Sequence, residues 1–378
     1  MKNIILTLGI TVVKICLKIL YFFLKLMPTN GNKVLFCSRQ SNTIPMDFVL
    51  IQDELKVRDK DVEIVCICNR LGKGLGEYIR FAKDFFRSMY HLATSSVCIL
   101  DSYWPPVSLL NHKESLKVIQ IWHSIGKVKK SGYQSIGKKS GRNTSVAHLL
   151  HMHENYDYVI AGAEIFNRFY CESFNIKEDV LLNYGLPRID YLINTAEDNR
   201  TRFFNENPEL KDKKIVLYTP TFRRNMEDRW HEVTEVEWPD DIALIVKIHP
   251  NQTRPDNLRE QSNIFYFPEW KTADLIAVCD YLVTDYSAIA LEAAVLNKKT
   301  FYWAYDYEAY AKDNGVNVQL IDYVPNNVEK DLNKLIEKIE SDDFDLDEFN
   351  NYRKLFLPEE LGTSTAKIVD LAESFLKK

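Results

Sequence analysis

The chain has 378 residues, of which 46% are hydrophobic and 27% are charged, and its formal net charge is −5. This length is enough for two domains that each bury a hydrophobic core. The acidic balance argues against a nucleic-acid-binding protein, because such domains carry a clear basic excess. The seven cysteines are scattered, mostly in apolar runs, which indicates free thiols in a reducing compartment and not a disulfide framework.

The first 28 residues form an apolar segment that is interrupted by lysines. On a helix, Lys14, Lys18 and Lys25 fall on one narrow stripe, and most of the remaining circumference is apolar. A one-sided basic stripe is typical of a helix in the membrane interface, whereas a spanning helix needs about 20 apolar residues and is penalised by central charges. We predict an interfacial helix over residues 1–28, without a cleaved signal peptide. A membrane span and a helix packed on the protein body are the alternatives.

Short apolar β-rich runs then alternate with amphipathic helical stretches along the rest of the chain. Such runs are typical of parallel sheets that helices cover on both faces. They fall into two sets: 33–37, 62–68, 97–101, 118–122 and 158–162, followed by 214–220, 242–248, 264–267, 280–285 and 299–303. The sequence therefore predicts an α/β fold of two doubly wound Rossmann-like domains, over residues 30–195 and 196–378. The C-terminal helix is able to pack back against the first domain.

Four strand ends carry residues suited to chemistry, and ligands of open α/β folds bind beyond the carboxyl ends of strands. At the first of them, His123 is followed by a basic loop that contains two glycines. A histidine in this position can take a proton from a hydroxyl near neutral pH. The alternative is a structural histidine beside a solvated loop. The lysines of the loop would attract an anionic acceptor or a membrane surface, and they are Lys127, Lys129, Lys130, Lys138 and Lys139.

Two strand ends in the second half of the chain carry basic residues. Thr221 and Arg223 follow one of them, and arginine is suited to forked contacts with phosphate. Lys247 and His249 alternate at the other, so they point to the same side of the strand. These residues predict a phosphate-binding site, with ordinary solvent-facing positions as the alternative.

The fourth strand end runs directly into a helix through Asp285 and Ser287. Either residue can cap the helix N-terminus, and the free backbone N–H groups there bind phosphate. Capping alone would also explain both residues. The histidines within 148–153 do not have the spacing of a zinc site, so we predict no metal site.

The order of these motifs is QIWHSIGKVKKSG, YTPTFRRN, KIHP and VTDYS, with the aromatic-rich FYWAYDYEAY after them. In this order they resemble the CDP-glycerol glycerophosphotransferase family, the teichoic acid primases and polymerases of Gram-positive bacteria. The resemblance covers residues 33–370. It implies a GT-B fold, in which an N-terminal acceptor domain and a C-terminal CDP-donor domain face a cleft.

The resemblance implies transfer of glycerol phosphate, or a related polyol phosphate, from CDP-glycerol or CDP-ribitol to a hydroxyl of a lipid-linked acceptor, with release of CMP. It implies that His123 is the general base, that His249 acts on the donor pyrophosphate, and that Arg223 and Ser287 bind the donor. Lys247, Asp285 and Thr221 complete the predicted donor set.

We predict that the reaction requires no cofactor. Mg²⁺ is an optional ion, which would screen the charge of the donor pyrophosphate. The expected location is peripheral, at the cytoplasmic face of the cell membrane. The rival hypotheses are a GT-B glycosyltransferase that uses a nucleotide sugar and a non-catalytic scaffold at the membrane surface.

Overall fold

The computed structural model describes residues 2–72, 74–137, 143–221, 229–248, 261–308, 310 and 315–377. Four predicted site residues lie outside these ranges, namely Arg223, His249, Lys138 and Lys139. The chain forms two compact units. The first unit is Met1–Arg188 together with Thr363–Lys378, and the second is Ile189–Gly362.

The first unit is built on a parallel sheet of six strands in the order β2-β1-β3-β4-β5-β6. Every residue of β1 and β3 is buried, as expected for strands that are covered on both faces. The central position of β1 and β3 brings the ends of β1, β3 and β4 together at one edge of the sheet. The strands are β1 (Lys33–Ser38), β2 (Glu63–Cys68), β3 (Val97–Leu100), β4 (Lys117–Gln120), β5 (Tyr158–Ile160) and β6 (Leu181–Leu182).

Helices connect these strands and cover the sheet. The last helix of the chain belongs to this unit and packs against α2, where Arg58 Nη1 lies 2.5 Å from Asp370 Oδ1 and 3.1 Å from Glu373 Oε2. The helices are α1 (Lys2–Leu24), α2 (Met46–Arg58), α3 (Leu75–Thr94), α4 (Pro105–Leu109), α5 (Thr144–Leu149), α6 (Asn167–Phe174), α7 (Pro187–Glu206), which continues into the second unit, and α12 (Ser364–Glu373).

One face of α1 packs on the first unit, against α3 and α5. Tyr21 is buried there, and its hydroxyl lies 2.8 Å from Nδ1 of His112. The opposite face is apolar and exposed, with Val12, Ile19 and Phe23 among its side chains. By length and composition alone, Thr7–Leu24 is long and apolar enough to cross a membrane. The helix α1 therefore has one face that packs on the first unit and an opposite face that is apolar and exposed.

The second unit has its own parallel sheet of six strands, in the order β12-β11-β10-β7-β8-β9. Val216 and Tyr218 of β7 pack into one buried hydrophobic cluster, and Ile215 and Leu217 pack into another. Because successive side chains of a strand point to opposite faces, the sheet is buried on both. The strands are β7 (Lys214–Thr219), β8 (Ile242–Val246), β9 (Ile264–Phe265), β10 (Tyr281–Thr284), β11 (Lys299–Trp303) and β12 (Val328–Glu329).

The helices of this unit that the structure describes are short, apart from α7. They are α8 (Thr272–Val278), α9 (Ile289–Val295), α10 (Leu332–Ser341) and α11 (Leu346–Phe356). Asp331 and Asp345 cap α10 and α11, because their side chains accept backbone N–H groups of the first turn.

The two doubly wound sheets confirm the α/β architecture predicted from the alternating apolar runs. All ten predicted strands are present, and the structure adds β6 and β12, which have two residues each and show no periodicity. The predicted strand 118–122 ends at Gln120, because Trp122 adopts a left-handed backbone with φ of 63°.

Candidate active-site residues

The candidate site of the first unit lies where β1, β3 and β4 end. Asp101 follows β3, and its carboxylate accepts hydrogen bonds from Ser38 Oγ at 2.6 Å and from Ser102 Oγ at 2.8 Å. Ser38 is the last residue of β1, so the bond links two neighbouring strand ends. All three side chains are buried. These hydrogen bonds hold the carboxylate of Asp101 in place at this edge of the sheet.

His123 follows β4, and its Nδ1 atom lies 2.9 Å from the backbone carbonyl oxygen of Asp101. A carbonyl oxygen only accepts hydrogen bonds, so Nδ1 must carry the proton. The neutral ring then has its lone pair on Nε2. The side chain is half-buried. His123 therefore has the tautomer that lets Nε2 accept a proton from a substrate.

The surroundings of His123 favour the neutral ring. Burial lowers the pKa of His123 to about 4, the hydrogen bond to Asp101 raises it, and the charge of Lys127 lowers it further. The imidazole is therefore neutral at pH 7. Burial raises the pKa of the Asp101 carboxyl to about 6, against the opposing effect of its two serine donors.

The residue before His123 is held in an unusual backbone conformation. Trp122 has a φ of 63°, which is rare for a bulky side chain and costs about 1–3 kcal/mol. The backbone N–H of Trp122 donates to Gln120 Oε1 at 2.9 Å, and Nζ of Lys127 lies 3.4 Å from the centroid of the Trp122 ring. These contacts hold the turn that aims His123.

Lys127 is buried, with 1% of its surface exposed. Its ammonium nitrogen lies 4.3 Å from the ring centroid of Phe174 and 5.5 Å from that of Tyr170, in addition to its contact with Trp122. Such cation–π contacts favour the charged form, whereas burial lowers the pKa of Lys127 well below its ordinary value. Lys127 was predicted to attract an anionic acceptor or a membrane surface together with Lys129 and Lys130, but Lys127 is buried and only the other two are exposed.

The basic loop is packed closely against its neighbours. A Cβ added to Gly162, just beyond β5, would lie 2.4 Å from the carbonyl oxygen of Ile125. Gly132 has a φ of 54°, and a Cβ added there would lie 2.1 Å from the carbonyl oxygen of Ser173. The loop therefore depends on two glycines for its position above the sheet edge.

An ion pair near His123 was missed by the sequence reasoning. The carboxylate of Asp47 is buried and accepts the backbone N–H of Arg188 at 2.9 Å and its Nε at 3.0 Å. Arg188 and Asp47 shift the pKa of His123 in opposite directions, downwards and upwards respectively. Arg188 follows β6 in the chain, and a position after a strand is a signal for a site residue. Because β6 has only two residues, the sequence pattern did not reveal the strand.

The candidate site of the second unit joins the ends of β7 and β10. The carboxylate of Asp285 accepts the backbone N–H of Thr221, with both of its oxygens 3.1 Å from that nitrogen, and the N–H of Tyr286 at 2.7 Å. Asp285 therefore fixes the turn after β7, which leads to Arg223. These hydrogen bonds are to backbone groups, so they fix the shape of the turn.

Ser287 lies in the turn before a short helix. The helix α9 begins at Ile289 and has seven residues, and Ser287 Oγ accepts the N–H of Ile289 at 3.3 Å. Ser287 therefore orders the turn before this short helix, and its role in donor binding stays a prediction. The ring of Tyr286 stacks on that of Tyr310 with 4.3 Å between centroids, so a pair of aromatic side chains lies next to the end of β10.

Lys247 is placed differently from the predicted donor contact. Its Nζ lies 2.8 Å from the carbonyl oxygen of Phe267, 3.2 Å from that of Pro268 and 2.5 Å from that of Trp270. An ammonium group has three N–H donors, so these acceptors use all of them. The geometry assigns Lys247 to anchoring the segment after β9, and this corrects the predicted role.

Among the residues that the structure describes, no group of three histidine, cysteine, aspartate or glutamate side chains is arranged to hold a metal ion. The histidines near residue 150 have other partners: His151 bonds to Glu154 at 2.7 Å, and His153 lies 3.0 Å from the hydroxyl of Tyr156.

Residues 19–374 match the family described as CDP-Glycerol:Poly(glycerophosphate) glycerophosphotransferase. The chain belongs to this family. The match spans both units and every motif that carried the resemblance, so the predicted family is confirmed. The predicted enzyme class, a glycerophosphotransferase of teichoic acid synthesis, is confirmed at the same level.

Two curated relatives of this glycerophosphotransferase-family chain agree with this result. It is 29% identical over 364 residues to the teichoic acid ribitol-phosphate primase of Bacillus spizizenii, with 93% of each chain covered. It is 29% identical over 267 residues to the teichoic acid glycerol-phosphate primase of Bacillus subtilis, with 68% of each chain covered.

A solved structure supports the fold. The wall teichoic acid polymerase TagF superimposes with a TM-score of 0.73 at 17% sequence identity, over 98% of each chain. At this identity the likeness concerns the fold alone. Together with the two parallel sheets, it confirms the GT-B class that the resemblance implied.

Proposed function

We propose that this glycerophosphotransferase-family protein transfers a polyol phosphate from CDP-glycerol or CDP-ribitol to a hydroxyl of a lipid-linked precursor of a wall or capsule polymer. The acceptor oxygen attacks the β-phosphorus of the donor. The bond between that phosphorus and the bridging oxygen breaks, and CMP leaves with the electron pair. The proton of the acceptor hydroxyl passes to Nε2 of His123.

The observation that carries this proposal is the hydrogen bond between Nδ1 of His123 and the carbonyl oxygen of Asp101. It selects the tautomer in which Nε2 is the basic nitrogen, and the low pKa of His123 keeps that nitrogen unprotonated at neutral pH. An anionic donor near His123 would raise its pKa and so its strength as a base. Positioning and electrostatics provide most of the catalysis in phosphoryl transfer.

The turn after β7 is the proposed donor-binding segment of the second unit. Asp285 holds Thr221 by its backbone N–H, and the chain then continues to Arg223, which we assign to the donor phosphates with His249 and Ser287. Arg223 and His249 lie outside the described residues, so their role rests on the match of their motifs to the family. Lys247 is not part of this assignment.

The proposed location is the cytoplasmic surface of the membrane. The exposed apolar face of α1 supports membrane contact, and Lys129 and Lys130 are exposed where they can meet an anionic acceptor or lipid surface. Lys138 and Lys139, which are outside the described residues, belong to the same proposal. Release from membranes by alkaline carbonate would support a peripheral helix, whereas retention would support a span.

The test of the reaction is release of CMP by the purified full-length protein with a lipid-linked acceptor. CDP-glycerol and CDP-ribitol are compared as donors, with UDP- and GDP-sugars as a parallel panel. Release of CMP from one of the two CDP-polyols, dependent on acceptor, would support the proposal and identify the donor. Turnover of a nucleotide sugar instead would favour a glycosyltransferase, and no turnover of any donor would favour a scaffold.

A further inference from the structure

An open apolar cavity of about 650 Å³ lies in the first unit beside α1. Ile10, Val13 and Leu17 line it from α1, and Phe85, Leu109 and Leu150 line it from the body of the unit. Its volume is within the range of about 300–1,000 Å³ that is typical of small-molecule sites. The cavity is therefore large enough for a ligand, and its walls would bind hydrocarbon.

One charged side chain lines the cavity. Among the lining residues that the structure describes, Lys14 alone is charged, and its Nζ lies 3.4 Å from the carbonyl oxygen of Leu149 and bonds to the ring of His151. Lys18, one turn further along α1, is exposed. An occupant with an apolar chain and an anionic head would match this combination of apolar walls and a basic rim.

A short segment joins the cavity to the candidate base. Asp101, which holds His123 by its carbonyl oxygen, is followed four residues later by Pro105, which lines the cavity. Four residues span at most about 14 Å. Between them, the hydroxyl of Tyr103 donates to the carbonyl oxygen of Leu150, another lining residue, at 3.1 Å. The 101–105 segment therefore connects the candidate site to the cavity.

We propose that this cavity binds the hydrocarbon chain of the lipid-linked acceptor, so that the acceptor head extends along the 101–105 segment towards His123. The inference rests on the proposed function, since it needs a lipid-linked acceptor. The cavity is bounded by α1, whose exposed face is apolar, and a chain could enter from a membrane on that face without crossing water. The cavity thereby adds an acceptor-binding subsite to the first unit.

Gly9 provides a direct test, because it lines the cavity and a Cβ added there has no atom within 4 Å. The substitution Gly9→Phe adds an aromatic ring to the lining, and its Cβ meets no neighbouring atom. Val12→Phe is the matched control, since Val12 is 52% exposed and does not line the cavity. CMP release is measured for two acceptors with the same head, one on a long chain and one on a short, water-soluble chain.

We expect the ratio of kcat/KM for the long-chain acceptor to that for the short-chain acceptor to fall about tenfold or more in Gly9→Phe, since a few buried methylene groups account for a tenfold change in binding. The ratio should keep its wild-type value in Val12→Phe. An unchanged ratio in Gly9→Phe would overturn the proposal, as would an equal fall in both variants, which would indicate general membrane contact.

A second readout does not depend on turnover. A long-chain acceptor analogue with a diazirine in its chain should label the peptides that contain Phe85 or Leu150 in the wild type and in Val12→Phe, and label them weakly in Gly9→Phe. Absence of this labelling while CMP is released would overturn the proposal that the acceptor chain binds in the cavity, and would leave the proposed reaction intact. Labelling without any release of CMP would support the cavity and contradict the proposed reaction.

Discussion

The imidazole of His123 lies within hydrogen-bonding distance of the backbone of Asp101, with 2.9 Å between Nδ1 and the carbonyl oxygen. The side chain of the same aspartate is held by serines from the ends of β1 and β3. The tautomer of His123 thus depends on the position of one strand end, and that strand end depends on its neighbours. This arrangement connects the fold of the first unit to the basicity of Nε2.

The first prediction concerns the protonation of His123. Because burial lowers its pKa to about 4, compared with about 6.5 for an ordinary histidine, the ring should be neutral at pH 7 with its proton on Nδ1. We expect this tautomer in the spectrum of ¹⁵N-histidine-labelled protein, with a titration midpoint near pH 4. The signal is assigned by its loss in His123→Gln. A midpoint near 6.5, or a proton on Nε2, would contradict the geometry.

The same shift has a consequence for stability. The unfolded chain binds a proton at His123 below pH 6.5, whereas the folded chain does so only near pH 4. His123 therefore lowers the free energy of unfolding as the pH falls from 6.5 towards 4. The pH dependence of urea unfolding should become shallower over this interval in His123→Gln. An identical dependence in both proteins would argue that His123 titrates normally.

The second prediction concerns Lys127. Its ammonium group lowers the pKa of His123, so Lys127→Met should raise the titration midpoint of His123 and move the acid limb of kcat/KM to higher pH. Lys129→Met is the matched control, because Lys129 is exposed in the same loop and is not among the groups that shift the pKa of His123. If the midpoint stays unchanged or falls in Lys127→Met, the proposed coupling is wrong.

The third prediction tests the close approach at Gly162. A Cβ there would lie 2.4 Å from the carbonyl oxygen of Ile125, so Gly162→Ala must displace the loop that follows His123. We expect kcat to fall about 10- to 100-fold, since a displacement of about 1 Å at a site can cost that much. Gly76→Ala serves as the control, because an added Cβ there has no atom within 4 Å. Wild-type activity in Gly162→Ala would show that the loop position is not critical.

The fourth prediction concerns Asp285. In Asp285→Asn one of the two acceptor oxygens becomes an NH₂ donor, so the side chain can no longer accept the backbone N–H of Thr221 with both terminal atoms, as the carboxylate does. We expect a loss of about 1–3 kcal/mol in the free energy of unfolding, together with weaker binding of a CDP-polyol. Urea unfolding and calorimetric titration measure the two effects, and the exposed Asp212→Asn serves as the control. Equal stability and equal affinity in Asp285→Asn and Asp212→Asn would show that Asp285 has no role in the site.

Local pattern was enough to predict the strands and the position of His123. Fully apolar runs bounded by polar segments have few alternatives to buried parallel strands, and a residue that follows such a strand must lie at the sheet edge. The partners of His123 could not be found in this way. Ser38 and Asp101 are 63 residues apart, and they meet only because β1 and β3 are neighbours in the sheet, an order that no local pattern specifies.

The lysines show a second limit of the sequence. Lys127 and Lys129 are alike in local context, yet Lys127 enters a cage whose rings include Tyr170 and Phe174 of α6. Lys247 was predicted to face an anion, but the backbone after β9 takes all three of its donors. In both cases a segment far along the chain decides where a long, flexible side chain is directed.

The most direct test of the account is the rate of CMP release by His123→Gln, measured with the CDP-polyol that the wild type uses and a lipid-linked acceptor. Half-exposed His231 provides a matched control, His231→Gln. Loss of a general base predicts a fall in kcat of about 10²–10⁴-fold in His123→Gln, with donor affinity retained and with the control close to wild type. A kcat within a few-fold of wild type in correctly folded His123→Gln would contradict the assignment of His123 as the base.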